Sequence, residues 1–150
     1  PKGSFYYYFD SKEEFALQII RHFDKEYTDR ILCSLRDESL SPLGRLKVYC
    51  QKNKQNIEER KCTRGCLIGN LSQEMASQSE VLREELEKVF FLFTDVFAAC
   101  IEAGQKSGEI RRDFEALSLA DFFAVLRAKS TRTTKPIDNF IELTFAFMAL

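Results

Sequence analysis

Along residues 11–36 the apolar side chains Phe15, Ile19, Phe23, Tyr27 and Ile31 recur at strict four-residue spacing. That interval returns a side chain to one face of an α-helix on each turn, whereas a half-buried strand would alternate every second residue. Ser11 opens the run and Glu14 follows three residues later, the pair that makes a capping box at a helix start. One long helix therefore dominates the front of the chain, and composition extends the argument to the rest. Six Gly and three Pro in 150 residues are about half the usual combined share, too few for a turn-rich β fold. Fourteen Phe and five Tyr supply a core that needs no disulfide staple.

Further helices follow from the same period. Pro42, suited to a first helical position, opens a helix through Leu43, Leu46, Tyr49 and Cys50 that ends before Arg60. Residues 61–65 read as a loop and 66–75 as a short helix. Ser77 with Glu80 repeats the capping-box spacing ahead of the longest apolar run, Leu82, Leu86, Val89, Phe90, Phe93, Phe97, Cys100 and Ile101, which Gly104 and Gly108 allow to stop. Ser118 with Asp121 starts a helix through Phe122, Phe123 and Leu126, and Pro136 starts a last one through Ile137, Phe140, Ile141, Leu143 and Phe147. The expectation is an all-α fold of six periodic helices, without strands or internal repeats.

Several function classes drop out. Apolar stretches such as Val89-Phe90-Phe91-Leu92-Phe93 fall far short of the ~20 residues of a bilayer span, so no membrane partner is expected. Five cysteines, an odd set without framework spacing, and a front end without a basic-then-apolar leader point to reduced thiols and a cytoplasmic location. Cys62 and Cys66 are four apart, but His22 is the single histidine, so no metal site and no cofactor are expected. Cys33, Cys50 and Cys100 lie on apolar helix faces and read as packing residues. Glu13, Glu14, Glu84, Glu85 and Glu87 read as capping charges and solvated faces. With no phosphate-binding Gly loop and no Ser–His or Cys–His pairing, the chain is not read as an enzyme. Net charge is −1, with positive charge leaning to residues 1–64, which suits an anionic partner at that end.

The opening run Pro1-Lys2-Gly3-Ser4-Phe5-Tyr6-Tyr7-Tyr8-Phe9-Asp10-Ser11-Lys12-Glu13-Glu14-Phe15 resembles the signature of the TetR family of bacterial transcriptional repressors. The resemblance implies that residues 1–36 are the C-terminal part of a helix-turn-helix DNA-binding domain, its recognition helix and linking helix, with the first two helices absent. Residues 37–150 would form a helical ligand-binding and dimerisation domain. It also implies a DNA-binding set of Lys2, Gly3, Ser4, Tyr6, Tyr7, Tyr8 and Lys12, with Gly3 permitting close approach and Phe9 packed inward. Such a helix needs small residues near the backbone and flat polar rings and lysines for bases and phosphates. Tyr8 stands where most members carry His.

A second segment, Thr63-Arg64-Gly65-Cys66-Leu67-Ile68-Gly69-Asn70-Leu71, is similar to the GCLxGN-type segment of one TetR subgroup, resembling electrophile-sensing NemR-like repressors. The run Glu102-Ala103-Gly104-Gln105-Lys106-Ser107-Gly108-Glu109-Ile110-Arg111 resembles the connector before that family's dimerising helices. These likenesses imply a repressor released from a double-stranded DNA operator by a small-molecule or electrophile inducer. Cys66 is the candidate sensor thiol: a helix start after Arg64 offers backbone N–H groups and a cation that favour thiolate. Lys129 is its candidate partner, and Tyr49, Asn70, Phe90, Phe93, Phe97 and Phe123 are candidate lining of a ligand chamber. Phe140, Leu143 and Phe147, with Phe145 also counted as exposed, would join a homodimer's four-helix bundle. Three alternatives stay open: a repressor with a noncovalent apolar ligand and inert cysteines, a helical thiol-dependent detoxifying enzyme using Cys66, and an adaptor with no DNA role.

Overall fold

A computed structural model describes residues 2–59, 66–127 and 135–149. These form seven α-helices: α1 (Lys2–Tyr8), α2 (Lys12–Leu35), α3 (Pro42–Glu59), α4 (Leu67–Met75), α5 (Glu80–Ser107), α6 (Ala116–Arg127) and α7 (Lys135–Met148). The fold is all-α, as expected, and α1 joins the six helices read from periodicity. Among the described residues one antiparallel bridge, Ile110 to Ala149, ties the α5–α6 connection to the end of α7.

Local chemistry accounts for the helix ends. Ser11 Oγ accepts the Glu14 N–H at 3.0 Å, while the Glu14 carboxylate reaches back to the Asp10 N–H at 2.8 Å, one residue beyond the usual box partner. Ser41 Oγ accepts the Gly44 N–H at 3.2 Å, leaving Pro42 at the first helical position. At α5 the expected cap moves: Ser79, not Ser77, holds the extended cap geometry and accepts the Leu82 N–H at 3.2 Å. Ser77 falls instead in the turn whose Gln78 and Ser79 N–H groups bond back to the Met75 carbonyl. Likewise α6 begins at Ala116, ahead of the expected Ser118 start, and α7 at Lys135, one residue before Pro136.

Only one of the two expected stop glycines stops α5. Gly108 takes the left-handed conformation at φ 81°. The Glu109 N–H then bonds to the Gly104 carbonyl at 2.9 Å and the Gly108 N–H to the Gln105 carbonyl at 3.3 Å, a Schellman ending. Gly104 lies inside the helix, buried where Ile110 folds back onto it; a Cβ there would stand 2.5 Å from Ile110 Cδ1.

The central helix is α5, which packs against α6, α2, α3 and α4. Leu82, Leu86, Val89, Phe93, Phe97 and Ile101 run buried along it and meet Ile20 of α2, Leu46 and Tyr49 of α3, Ile68 of α4 and Phe123 of α6 in one core. Among the described side chains of α2, however, the buried ones are Ala16, Ile20, Ser34 and Leu35 rather than Phe15, Ile19 and Phe23 of the four-spaced stripe. Phe15 is 36% exposed and Ile19 and Phe23 are half-buried; the side chains of Tyr27 and Ile31 lie outside the described residues. Two further assignments change. Cys33 is exposed rather than packed, whereas Cys50 and Cys100 are buried. Phe145 is buried, with the Lys47 ammonium 5.7 Å from its ring centre, so it is not part of an exposed apolar surface.

Candidate nucleic-acid interface and sensing site

Helix α1 is held by its aromatic residues on one side and displays them on the other. Phe5 and Phe9 pack on each other and on Phe15 of α2, with ring centres 5.3 Å, 5.4 Å and 4.7 Å apart. The two contacts with Phe15 are edge-on and add about 0.5–1.5 kcal/mol each beyond area burial, which helps to seat a seven-residue helix that would not persist alone. Phe9 is half-buried, on the inward side. Ser4, Tyr6, Tyr7, Tyr8 and Lys12 are all exposed, Tyr7 to 83%. Tyr7 and Tyr8 meet edge to face at 5.1 Å. Lys2 and Gly3 contribute backbone to α1, while their side-chain surroundings lie outside the described residues.

Two adjoining apolar clefts occupy the junction behind this surface. The larger, about 500 Å³, is lined by Phe5 and Tyr6 of α1, Phe15, Ala16 and Ile19 of α2, and Leu67, Leu71 and Met75 of α4, with Lys12 at its edge. The smaller, about 280 Å³, shares Phe15, Ile19 and Leu67 and adds Phe9, Phe23 and the polar Gln18, His22 and Glu26. Phe15, Ile19 and Phe23 of the four-spaced stripe thus line the clefts between α2 and the residues of α1 and α4. Leu67, Leu71 and Met75 carried no functional assignment in the sequence, although their four-residue spacing marks one face of a helix.

Cys66 stands at the N-cap of α4 in extended conformation, φ −68° and ψ 122°, half-buried against the core. Its carbonyl accepts the Asn70 N–H at 2.9 Å. Asn70 itself is exposed. Lys129 and Cys62 lie outside the described residues, as do Arg64 and Gly65. The thiol of Cys50 is pushed up to about 12 and that of Cys100 to about 11, both chiefly by burial, so neither is a ready nucleophile.

The expected chamber residues divide. Tyr49 meets Phe97 edge to face at 4.7 Å, and Phe97 stacks on Phe123 at 5.4 Å, so α3, α5 and α6 share one buried ring column. Phe93 is buried on the same helix as Phe97, and Phe90 is half-buried at its flank. At the other end, Leu143 is 70% exposed on α7. Phe147 is partly exposed, but one side of its ring is covered by Arg111, whose guanidinium carbon lies 4.5 Å from the ring centre, and by Phe114 at 5.2 Å. The side chain of Phe140 lies outside the described residues. Among the described residues no three His, Cys, Asp or Glu gather to hold a metal ion, and no helix is long and apolar enough to cross a membrane.

Known proteins resemble the chain in both sequence and fold. A family model described as "Tetracyclin repressor-like, C-terminal domain" matches residues 42–143. The HTH-type transcriptional repressor DhaR of Mycobacterium sp. (strain GP1) is 38% identical over 151 residues, covering 97% of this chain and 74% of that protein. The crystal structure of a regulatory protein TetR from Rhodobacter sphaeroides superposes with a TM-score of 0.89 at 30% identity, covering 99% of this chain and 82% of the other. The reduced form of Escherichia coli NemR follows at 0.80 and 25%, with 99% and 80% covered.

Proposed function

The chain belongs to the TetR family of transcriptional regulators, and from that premise we propose that it is a homodimeric repressor that grips duplex DNA through α1 and lets go when an inducer acts through α4. The observation that carries this reading is the shared cleft, in which Leu67, Leu71 and Met75 of α4 lie across from Phe5 and Tyr6 of α1. A shift of α4 would therefore disturb the seat of the tyrosine-bearing helix as well as its own packing on α5. Cys66, one residue before that helix, is the thiol at which an electrophile would act, and the column of Tyr49, Phe97 and Phe123 is where an apolar ligand would part α3, α5 and α6. The DNA-facing set is Lys2, Gly3, Ser4, Tyr6, Tyr7, Tyr8 and Lys12.

Two operator half-sites about 34–36 Å apart demand two α1 helices at matching separation. The inducer must therefore favour a conformer with a different separation, by about 1–3 kcal/mol for an ordinary allosteric coupling. The test is an operator gel shift with the full-length protein before and after N-ethylmaleimide, alongside Cys66→Ser. Loss of at least tenfold in affinity for the parent, with Cys66→Ser unaffected, is expected. A Cys66→Ser protein that still responds removes Cys66 from the mechanism and moves the response to another thiol such as exposed Cys33, whereas a parent that N-ethylmaleimide labels without loss of affinity leaves the noncovalent ligand. Repeated turnover of the electrophile would point to the detoxifying enzyme instead.

A further inference from the structure

Two polar ties fasten α2 to the first turns of α5. The Ser79 hydroxyl donates to Glu13 Oε2 at 2.6 Å while accepting the Leu82 N–H at 3.2 Å, so the cap of α5 is also a clasp on the first turn of α2. Eight residues along α2, Arg21 Nε donates to Glu85 Oε1 at 2.8 Å. Glu85 is mostly buried, is held from its other side by Lys88 at 3.2 Å, and stays below the usual carboxylate range because of the Arg21 hydrogen bond. Ala16 and Ile20 seat α2 in the core beside α5, and two polar ties about 12 Å apart along α2 add a constraint on the angle at which it lies.

We infer that the Glu13–Ser79 and Arg21–Glu85 pairs form a latch that sets the angle of α2 on α5 and through it the separation of the two DNA-reading helices of a dimer. The inference rests on the operator-binding reading above. Its leverage is large. Helix α2 has 24 residues, a length of about 36 Å, so a swing of about 10° about its far end moves α1 by roughly 6 Å. That exceeds the ~3.4 Å rise of one base pair. Glu13, Ser79, Arg21 and Glu85 are positioning residues in this scheme: α1 reads the DNA and the latch keeps it in register.

Ser79→Asp tests the latch without uncapping α5, because Asp is as good an N-cap as Ser but cannot donate to Glu13 and repels it. Glu13→Gln in the same protein supplies a donor and restores the tie. The probe is the duplex that the full-length parent selects from a random-sequence pool, compared with versions carrying one base pair more or fewer between half-sites. Expected for Ser79→Asp is about fivefold weaker binding to the selected duplex and a similar loss of discrimination against altered spacing. The double variant should recover both within about twofold. Arg21→Glu should behave like Ser79→Asp, and Arg21→Glu with Glu85→Arg should recover. Unchanged spacing discrimination in Ser79→Asp overturns the latch. So does an equal loss on every spacing with a lowered melting temperature, which marks a merely structural role. A parent that selects no duplex at all overturns the operator-binding reading itself, a different result from a parent that binds and an indifferent variant.

Discussion

Replacing Gly104 with Ala sets two opposing effects against each other inside α5. Alanine is worth about 1 kcal/mol over glycine in a helix interior, so on an exposed face the change would stabilise. Here the new Cβ would stand 2.5 Å from Ile110 Cδ1, 2.8 Å from Ile110 Cγ1 and 3.3 Å from Pro42 Cβ. Ile110 has nowhere to retreat: it is fully buried, its N–H is bonded to the Gly104 carbonyl at 3.1 Å, and it is bridged to Ala149. Overpacking of a core usually costs about 1–3 kcal/mol; contacts this short place the cost near the upper end, for a net loss of about 1–2 kcal/mol. For a domain of this size that lowers the melting temperature by about 2–8 °C, read by far-UV circular dichroism. Trimming the neighbour in Gly104→Ala with Ile110→Val removes the nearest methyl and should recover part of the loss. A single Gly104→Ala protein that melts at or above the parent would show that Ile110 has room to yield and would refute the close-packing argument.

Other consequences are equally direct. Thiol labelling of the native protein should modify exposed Cys33 and leave Cys50 and Cys100 untouched until unfolding, since both are buried with raised thiol values; equal rates for the three would contradict the packing. Glu109 accepts hydrogen bonds from Ser41, the Leu43 N–H and Ser107, which hold its carboxyl below the ordinary 4.5. A depressed value contributes stability above the ordinary carboxylate range that is lost as the pH falls through it. The melting difference between parent and Glu109→Gln should therefore be constant above about pH 5 and shrink towards pH 3; a difference independent of pH removes the carboxylate from the account. Tyr7→Ala, at a side chain 83% exposed, should change stability by less than about 0.5 kcal/mol yet weaken operator binding severalfold. Unaltered affinity in a gel shift would take Tyr7 out of the interface.

Much of the fold can be read in the chain because local chemistry specifies helix ends. Ser11 with Glu14, Pro42 after Ser41, and Gly108 act through backbone N–H groups and φ values within a few residues of themselves, so no distant partner is needed to recognise them. Where two candidates compete at short range, as with Ser77 and Ser79, the turn that ends the preceding helix makes the choice. The site is less legible. Tyr49, Phe97 and Phe123 were recognisable as apolar helix residues, but nothing in their spacing says that three helices bring their rings into one column.

Sequence alone settles that this chain is helical, where several of its helices begin or end, and that its opening aromatic run looks like a DNA-reading element. It does not settle which apolar face of a helix meets which neighbour, because periodicity records hydrophobicity and not its destination. Helix α2 buries Ala16 and Ile20 among the core residues and turns Phe15 and Ile19 towards α1 and α4, two apolar sides that one four-residue stripe could not separate. Gly104, a stop signal by residue type, proves to be a contact point because Ile110 returns from beyond the helix to lie on it. Those outcomes depend on residues far apart in the chain arriving within van der Waals reach, and only packing in three dimensions brings them there.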